Sequence, residues 1–513
     1  MIKTTTRIAV AVAIAMMALA GLNCFAATGV LVNAVGSTGA FNAFALAADN
    51  STSECGTNIW TKKNGGQGVD NRSTSIPINV ANIWIVWNNA QNTVCSYLAV
   101  DSVIGQQLFL AVPRGSLTID SSFIGSSGDN LVATLTDVPL PTAVYNLLNN
   151  KVFNCAPTDI RPEDAVFEEN RVLAPLDTVH YTGLGYGPGP IGTAILTSQG
   201  SGKSVTPVAY AISGTDPITG GSVPLWRSIN VGAQAVMVFV NTTDTGSGGL
   251  GSSAVQNISR WDLAYVLNGN LTRTRDIIAQ QGLPSIGLHT FLREPTSGTY
   301  TTMEFSSPRS VELNSTQELN VNPAVDNPLN KSYASGGTRQ RVIGTGEMVS
   351  TVGATTDSIG YSFWSTTNFS KVTSTTKYLT VDGVDPLFPI YTGGTFPTCV
   401  APCPGLIPFT NVLNGGYPLW NVLRVVTAAP PPTAVTTLIT QAQTQVANIP
   451  DFVAFSSLQV FRAHYTQSGR APADGFIAGK TESGGDVGGA VFTIQSDLDF
   501  FTDTGKELVN LKQ

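Results

Sequence analysis

Charged side chains are scarce in this sequence. Only 12% of the 513 residues are Asp, Glu, Lys or Arg, and the formal net charge is −7. There is no cluster of basic residues and no basic-aromatic stripe. Because nucleic-acid binding depends on such clustered positive charge, we expect no nucleic-acid partner. An acidic chain can still bind an anion locally, through backbone N–H groups and hydroxyl groups.

Histidine is also rare, with three residues: His180, His289 and His464. None has the spacing of a metal site or a catalytic triad, and no G-x-S-x-G motif occurs. Residues 200–204 are similar to the end of a P-loop, but Thr197 stands where the motif needs its first glycine. We therefore expect no catalysis, no metal and no cofactor. A secreted phosphatase with an unrecognised site is the less favoured alternative.

Long hydrophobic runs are missing after the N-terminus. Residues 1–27 have the pattern of a signal peptide, with basic residues before the apolar run 8–22 and a cleavage site after Ala26 or Ala27. No later apolar run reaches the roughly 18 residues that span a bilayer. The sequence therefore predicts an exported, soluble protein, periplasmic or secreted, which we expect to be a monomer.

Cysteines are few, and no CxxC pair indicates zinc. If the signal peptide is removed, five remain: Cys55, Cys95, Cys155, Cys399 and Cys403. Cys399 and Cys403 lie in a Gly/Pro-rich loop and form the first candidate disulfide, as expected for an exported protein. Cys55 with Cys95 is the next, which leaves Cys155 over. Spacing does not decide the pairing.

The most informative stretch is 286–301. An apolar, strand-like run ends at Arg293, and a turn containing Ser297, Gly298 and Thr299 then opens a helix. Free N–H groups and the dipole make such a helix start a site for anions, and Arg293 can add a two-pronged contact. The alternative interpretation is an ordinary capped turn.

A second unit of this kind lies near the start of the mature chain. The strand-like run Gly29–Val35 leads through Ser37, Thr38 and Gly39 into the helix-favouring run Ala40–Ala48. One such unit is weak support for an anion site. Two units allow an anion to lie between two helix ends.

Thr158 and Asp159 follow a predicted strand at 151–154 and precede a proline-initiated turn. A carboxylate is compatible with an anion that carries a proton, because Asp159 can accept that hydrogen bond and repel fully deprotonated competitors. The alternative is that Asp159 only caps a turn.

Apolar runs predict buried strands elsewhere, and tryptophans within them are interpreted as core residues. The predicted strands are 83–87, 97–100, 107–112, 208–212, 235–240 and 359–364. The predicted helices are 258–269, 342–352 and most of 436–461.

The order of these motifs resembles that of the periplasmic phosphate-binding proteins of ABC transporters, in the type II periplasmic-binding-protein superfamily. The resemblance rests on the turn 36–41, the Thr158-Asp159 pair, the segment 236–272, the spacing from Arg293 to Ser297-Gly298-Thr299, and two later markers at 359–361 and 417–419. It covers roughly 29–425 in patches. The chain is longer than a typical member, and the family's second glycine-rich loop has only a weak counterpart, at Gly65–Gly68.

The resemblance implies a two-lobed α/β fold with mixed, mostly parallel sheets flanked by helices and a ligand cleft between the lobes. Lobe one would comprise 28–205 and the return 366–513, which includes a long loop and a C-terminal extension, and lobe two would comprise 206–365. Phosphate or a similar tetrahedral oxyanion would be bound by eight residues: Ser37, Thr38, Thr158, Asp159, Arg293, Ser297, Gly298 and Thr299. An ABC transporter permease would be the partner.

Function remains open between two main classes. The favoured one is a non-enzymatic solute-binding protein for oxyanion uptake. The alternative is a secreted surface or matrix protein that keeps the binding fold without a transport role, because a fold does not fix a function.

Overall fold

The computed structural model describes most of the chain between residues 29 and 462. The described residues are 29–50, 52–63, 82–110, 114–160, 212–215, 222–224, 226–278, 282–293, 297–306, 330–342, 344–398, 405–428, 430–462 and 491–493.

The helices are α1 (Phe41–Ala48), α2 (Ser102–Leu110), α3 (Thr142–Leu148), α4 (Arg260–Leu267), α5 (Gly298–Ser306), α6 (Gly344–Ala354), α7 (Thr366–Phe369), α8 (Thr410–Leu413) and α9 (Thr433–Val446). Short 3₁₀ turns are Thr38–Ala40, Ser121–Phe123, Thr274–Asp276 and Phe455–Ser457.

The strands up to the middle of the chain are β1 (Gly29–Ser37), β2 (Asn58–Lys62), β3 (Asn82–Trp87), β4 (Thr93–Val100), β5 (Ser116–Leu117), β6 (Lys151–Val152), β7 (Cys155–Thr158), β8 (Ile212–Thr215), β9 (Ser222–Pro224) and β10 (Trp226–Asn241). Those after it are β11 (Asn257–Ile258), β12 (His289–Arg293), β13 (Asn330–Ser332), β14 (Thr338–Val342), β15 (Ser358–Phe363), β16 (Thr376–Tyr378), β17 (Thr380–Val381), β18 (Trp420–Ala428), β19 (Val453–Ala454), β20 (Val460–Arg462) and β21 (Val491–Thr493).

One large mixed sheet organises the described chain, in the order β13-β14-β12-β15-β10-β18-β7-β1-β4-β3-β2. We call β1–β4, β7 and β18 its first half and β12–β15 its second half. In the first half, β1 runs parallel to β4 and β7. In the second half, β12 runs parallel to β14 and β15. Each half therefore has a small parallel centre.

Strand β10 joins the two halves. Its first part pairs antiparallel with β18, as far as Ala235 opposite Trp420. Its second part pairs antiparallel with β15, from Val236 opposite Phe363. Residues 231–233 and 235–240 are apolar or glycine and buried, as is usual for a strand covered on both faces. The two halves thus share one backbone rather than a flexible linker.

Helices cover both faces of the first half. Along β3, Trp84 and Val86 face the cluster formed with α1 and α9, whereas Ile83 and Ile85 face the cluster formed with α2 and α3. This alternation is the two-residue period of a strand. The helices need an apolar stripe only on the sheet side, and α9 has one, in Val435, Leu438, Ile439 and Ala442.

The second half has its own core. Val236, Val238 and Val240 of β10 belong to a cluster with residues of α4, α5 and α6. Trp364, just after β15, stacks on Phe369 with ring centroids 5.4 Å apart. The predicted α/β fold class is confirmed: parallel strands form the centre of each half, helices flank them, and a cleft is lined by residues of both halves.

Most predicted elements that fall on described residues are confirmed, including the strands at 83–87, 97–100, 235–240 and 359–364 and the helix near 258–269. The tryptophans at 60, 84 and 87 are buried, as expected of core residues. Residues 436–461 are helical only to Val446. The predicted strand 208–212 lies almost wholly outside the described residues, as does the glycine loop 65–68.

The prediction of a strand at 107–112 is wrong, because residues 102–110 form helix α2. The apolar run that suggested a strand arises because α2 is buried on two sides. Ile104 and Leu108 pack against the first half of the sheet. Phe109 and Leu110 pack instead with Ala156 and Val426. Periodicity cannot separate a short buried helix from a buried strand.

The cysteine prediction is confirmed in part. Cys55 and Cys95 form a disulfide, and Cys155 is a free, buried thiol. Cys399 and Cys403 lie outside the described residues. Within the described ranges, no helix has the length and hydropathy needed to cross a membrane.

Candidate anion-binding site

The carboxyl ends of parallel strands from both halves of the sheet meet in the interior. Ser37 ends β1, Asp101 follows β4, Asp159 follows β7, and Arg293 ends β12. All four residues are at most 4% exposed. Ligand sites in open α/β sheets lie outside the carboxyl ends of strands, so this convergence marks the candidate site.

Arg293 is the central cation. Its side chain is fully buried, and its Nη1 donates hydrogen bonds to Thr299 Oγ1 at 3.1 Å and to Thr345 Oγ1 at 3.3 Å. Its Nη2 lies 3.6 Å from Asp101 Oδ1, an ion pair between the two halves of the sheet. The backbone N–H of Arg293 donates to the Tyr361 hydroxyl at 3.3 Å. The guanidinium is therefore held in one orientation.

Helix α5 begins beside this arginine. Ser297 Oγ accepts a hydrogen bond from the Thr299 N–H at 3.1 Å, which is the expected capping geometry. Ser297 and Thr299 are almost completely buried. A Cβ atom at Gly298 would overlap with the carboxylate of Asp159. The start of α5 in the second half therefore packs directly on the end of β7 in the first.

Asp159 is a buried carboxyl with an unusual pKa. Burial raises its pKa to about 7, against the opposing effects of its own backbone N–H, the charges of Arg293 and Arg424, and the Asn421 side chain. The Ser102 hydroxyl donates a hydrogen bond to Asp159 Oδ1. A carboxyl with a pKa near neutrality can accept or donate a proton at physiological pH.

Thr158 has a different environment from Asp159. Its hydroxyl accepts a hydrogen bond from Gln106 Nε2 at 2.8 Å and donates one to the Ile160 carbonyl at 3.1 Å. These contacts lie within the first half of the sheet. The hydroxyl of Thr158 is therefore engaged in holding the turn after β7, which favours a supporting role.

The second predicted unit, Ser37 to Gly39, lies at the edge of the site. Ser37 Oγ accepts from the Gly39 N–H at 3.1 Å, and the Ser37 carbonyl accepts from the Tyr97 hydroxyl. Burial, the charge of Asp159 and the neighbouring Cys155 raise the pKa of Tyr97 well above its usual value, so Tyr97 remains a donor. Thr38 is half-buried.

A cleft of about 750 Å³ borders this edge. Thr38 and Gly39 line it from the first half, and Thr345 lines it from the start of α6 in the second. Gln234 of β10 also lines it, and within the described residues Gln234 Oε1 has no hydrogen-bond partner although the side chain is 3% exposed. Thr345 connects the cleft with Arg293, because its Oγ1 accepts a hydrogen bond from Arg293 Nη1.

Four residues near the site are not predicted by the sequence motifs: Asp101, Ser102, Asn421 and Arg424. Asp101 and Ser102 form a third strand-hydroxyl-helix unit, between β4 and α2. The sequence did not predict this unit, because residues 107–112 were predicted to be a strand rather than part of a helix. Asn421 and Arg424 lie on β18, where Arg424 is the register partner of Thr158. No local pattern marks a side chain in mid-strand, so these two were visible only in the folded chain.

The eight predicted site residues thus fall into three groups. Asp159, Arg293, Ser297, Gly298 and Thr299 lie together in the buried cluster. Thr38 lines the cleft, and Ser37 is the strand residue that precedes it. Thr158 is turned to its own half of the sheet. Their roles in binding a ligand stay predictions.

The described residues contain no group of three or more His, Cys, Asp or Glu side chains that could hold a metal ion. Of the histidines, only His289 falls in the described ranges. Burial lowers its pKa below the usual value, and its Nδ1 is 2.8 Å from Thr338 Oγ1. It lies at the start of β12, at the opposite end of that strand from Arg293.

No protein-family model and no curated protein matches the sequence. Solved structures do match. A high-affinity periplasmic phosphate-binding protein bound with phosphate is 11% identical, with 82% of this chain and 90% of that chain covered and a TM-score of 0.34.

Two further matches come from named organisms. The phosphate-binding protein from Stenotrophomonas maltophilia is 12% identical, with 72% of this chain and 85% of that chain covered and a TM-score of 0.34. An ABC-type phosphate transport receptor from Vibrio cholerae is 14% identical, with 45% of this chain and 73% of that chain covered and a TM-score of 0.27. At these values the likeness assigns no ligand to this chain, so its function is argued from its own residues.

Proposed function

We propose that this protein is an exported, non-enzymatic solute-binding protein that captures phosphate or a similar tetrahedral oxyanion between the two halves of its sheet. One observation carries the proposal. Arg293 and the start of α5, from the second half, meet Asp159 from the first half in a buried cluster. A site assembled from both halves can close on a ligand and release it as they separate.

The donors suit a tetrahedral anion. Helices α2 and α5, each nine residues long, begin at the cluster, and their free N–H groups and dipoles attract negative charge. The hydroxyls of Ser297 and Thr299 and the guanidinium of Arg293 add directional donors. In a water-excluded setting such preformed donors replace the hydration shell of the anion.

Asp159 supplies the acceptor. Phosphate and arsenate carry a proton at neutral pH, and that O–H needs a partner in a buried site. A carboxylate accepts it and repels an anion that has no proton to offer. A pKa of about 7 allows Asp159 to be ionised for this task within the physiological range.

A role in transport extends the proposal from ligand binding to ligand delivery. An exported protein that closes on an oxyanion between two lobes, here 28–205 with 366–513 and 206–365, is suited to deliver it to an ABC transporter permease. The sequence resemblance motivates this role. It predicts a monomer that is periplasmic or secreted.

Calorimetric titration of the phosphate-stripped mature protein with phosphate, sulfate, arsenate and molybdate tests the proposal. We expect one-to-one phosphate binding that is lost in Arg293→Ala and weakened in Arg293→Lys, because lysine keeps the charge but not the forked donor geometry. Arg260→Ala is the matched control, since Arg260 pairs with Asp382 at the surface. Circular dichroism verifies that each variant is folded.

One observation favours a second candidate function, that of a secreted surface or matrix protein. Arg293 already faces the carboxylate of Asp101 at 3.6 Å, so part of its charge is balanced within the protein. A secreted surface or matrix protein that keeps the fold without a ligand would use this pair to join the halves of the sheet. No heat and no thermal stabilisation with any oxyanion would overturn the oxyanion proposal and favour this candidate.

A further inference from the structure

Asp101 is a second buried carboxylate at the candidate site. It lies between the last residue of β4 and the first residue of α2 and is 4% exposed. Its Oδ1 is 3.6 Å from Arg293 Nη2, whereas Arg293 Nη1 donates to Thr299 and Thr345. The two terminal nitrogens of the arginine are thus oriented differently: one faces hydroxyls, the other an anionic side chain.

The charged and titratable groups of the site come from several elements. Arg293, at the end of β12, faces Asp101. Asp159, after β7, is influenced by Arg424 on β18 and itself influences Tyr97 on β4. When both carboxylates are ionised, the two arginines and the two aspartates sum to zero formal charge. A site with this balance attracts an anion mainly through helix N-termini and hydroxyls, and it penalises each extra negative charge on the ligand.

We propose that Asp101 is a specificity-determining residue, an internal carboxylate that competes for Arg293 and restricts the site to monoanionic, proton-bearing tetrahedral oxyanions. The inference rests on the proposed oxyanion function and names the ligand class within it. A dianion approaching Arg293 meets both Asp101 and Asp159. A monoanion meets less repulsion, and its O–H groups donate to the same carboxylates.

The location of Asp101 explains why it can act in this way. It belongs to the first half of the sheet and Arg293 to the second, so the pair forms across the space that the ligand would enter. A ligand oxygen that binds Nη2 must share the arginine with Asp101 or displace it. The internal carboxylate therefore lowers affinity for all anions and lowers it most for those with the greatest charge.

Titration calorimetry of Asp101→Asn tests this inference with inorganic phosphate at about pH 6 and about pH 8, and with sulfate at both. Asparagine retains the capping ability of this position. We expect Asp101→Asn to bind phosphate about tenfold more tightly than the parent at the higher pH, with a smaller gain at the lower pH where the monoanion dominates. Sulfate binding should increase in the variant at both.

Asp382→Asn is the matched control, since it removes a carboxylate from a surface pair with Arg260. Asp101→Ser, which supplies a hydroxyl that can cap the helix, serves if the asparagine variant does not fold. Equal or weaker phosphate binding in the variant, with an unchanged pH profile, would overturn the inference and leave Asp101 as a structural link while the oxyanion function stands. Absence of phosphate binding in the parent and both variants would remove the proposed function, and the inference with it.

Discussion

Two segments of this chain have nearly the same local sequence but different surroundings. Ser37-Thr38-Gly39 and Ser297-Gly298-Thr299 each follow a buried strand, and in each the serine oxygen accepts from the N–H two residues later at 3.1 Å. The first segment borders the open cleft, with Thr38 half-buried. The second is enclosed, with Gly298 against Asp159 and Thr299 against Arg293.

The difference shows that a capped helix start does not define an anion site by itself. Both segments offer the same N–H groups and hydroxyls. Only the second has a buried cation beside it and a carboxyl from the other half of the sheet opposite it. The partners that distinguish the two segments are distant in sequence, so their contrast can be tested by removing those partners one at a time.

Removal of the arginine should have the largest effect. Arg293→Ala leaves the carboxylate of Asp101 without the cation that faces it across the two halves, and both side chains are at most 5% exposed. We expect the free energy of unfolding to fall by about 3–5 kcal/mol, as for other broken buried ion pairs. Chemical denaturation of the parent and the variant measures this.

The control for that experiment is Arg260→Ala. Arg260 and Asp382 form a surface pair with side chains 43% and 34% exposed, so its loss should cost less than about 1 kcal/mol. Equal costs for the two arginines would mean that the cluster around Ser297-Gly298-Thr299 is no more tightly coupled than the surface.

The features of the fold and the site that could be predicted from the sequence are those encoded by a few neighbouring residues. The strand-turn-helix units around Ser37 and Ser297 were predictable because apolar runs and caps are encoded within a few residues. The burial of Trp60 and Trp84 was predictable from the same patterns. The choice of Asp159 as the opposing carboxyl came from a motif next to a strand end.

The remaining features depend on pairing between distant segments. Nothing near Asp101 indicates that Arg293 will lie 3.6 Å away, because that contact exists only once β10 has joined the two halves. Arg424 and Asn421 lie within a buried strand, where polar residues carry no local pattern. A strand was predicted in place of helix α2 because the helix is buried on two sides and therefore has apolar residues on both, without an amphipathic pattern. Register and tertiary packing decided each of these.

The pH dependence of stability is a second way to separate the two segments, because Asp159 opposes only the second. Its pKa is 3.8 ordinarily and about 7 when buried, so between these values the folded state holds a proton that the unfolded state has lost. Stability from this group is full below about pH 4 and falls as pH rises, by about 1.4 kcal/mol per unit, until about pH 7.

Asp159→Asn isolates this contribution, because other buried carboxyls such as Asp451 titrate in both proteins. Denaturation of parent and variant at several pH values should show their difference in unfolding free energy changing by about 2 kcal/mol between about pH 5 and pH 7 in favour of the variant. Parallel curves across that window would contradict a raised pKa for Asp159.

The two glycines give the finest comparison, since the same change is made in both segments. A Cβ at Gly298 would overlap with the short, buried side chain of Asp159, whereas a Cβ at Gly39 would meet the end of the longer Gln234 side chain at 2.7 Å. Neither glycine has the positive φ that would itself disfavour alanine. We expect Gly298→Ala to cost about 1–3 kcal/mol of stability, as overpacking does, and to abolish phosphate binding by separating Asp159 from α5. Gly39→Ala should cost under about 1 kcal/mol, because the Gln234 amide can turn into the neighbouring cleft.

Similar stability losses in the two variants would contradict this comparison. They would show that the contact between the two halves at Gly298 does not distinguish the segments. They would also show that the cleft edge at Gly39 is as constrained as the buried cluster.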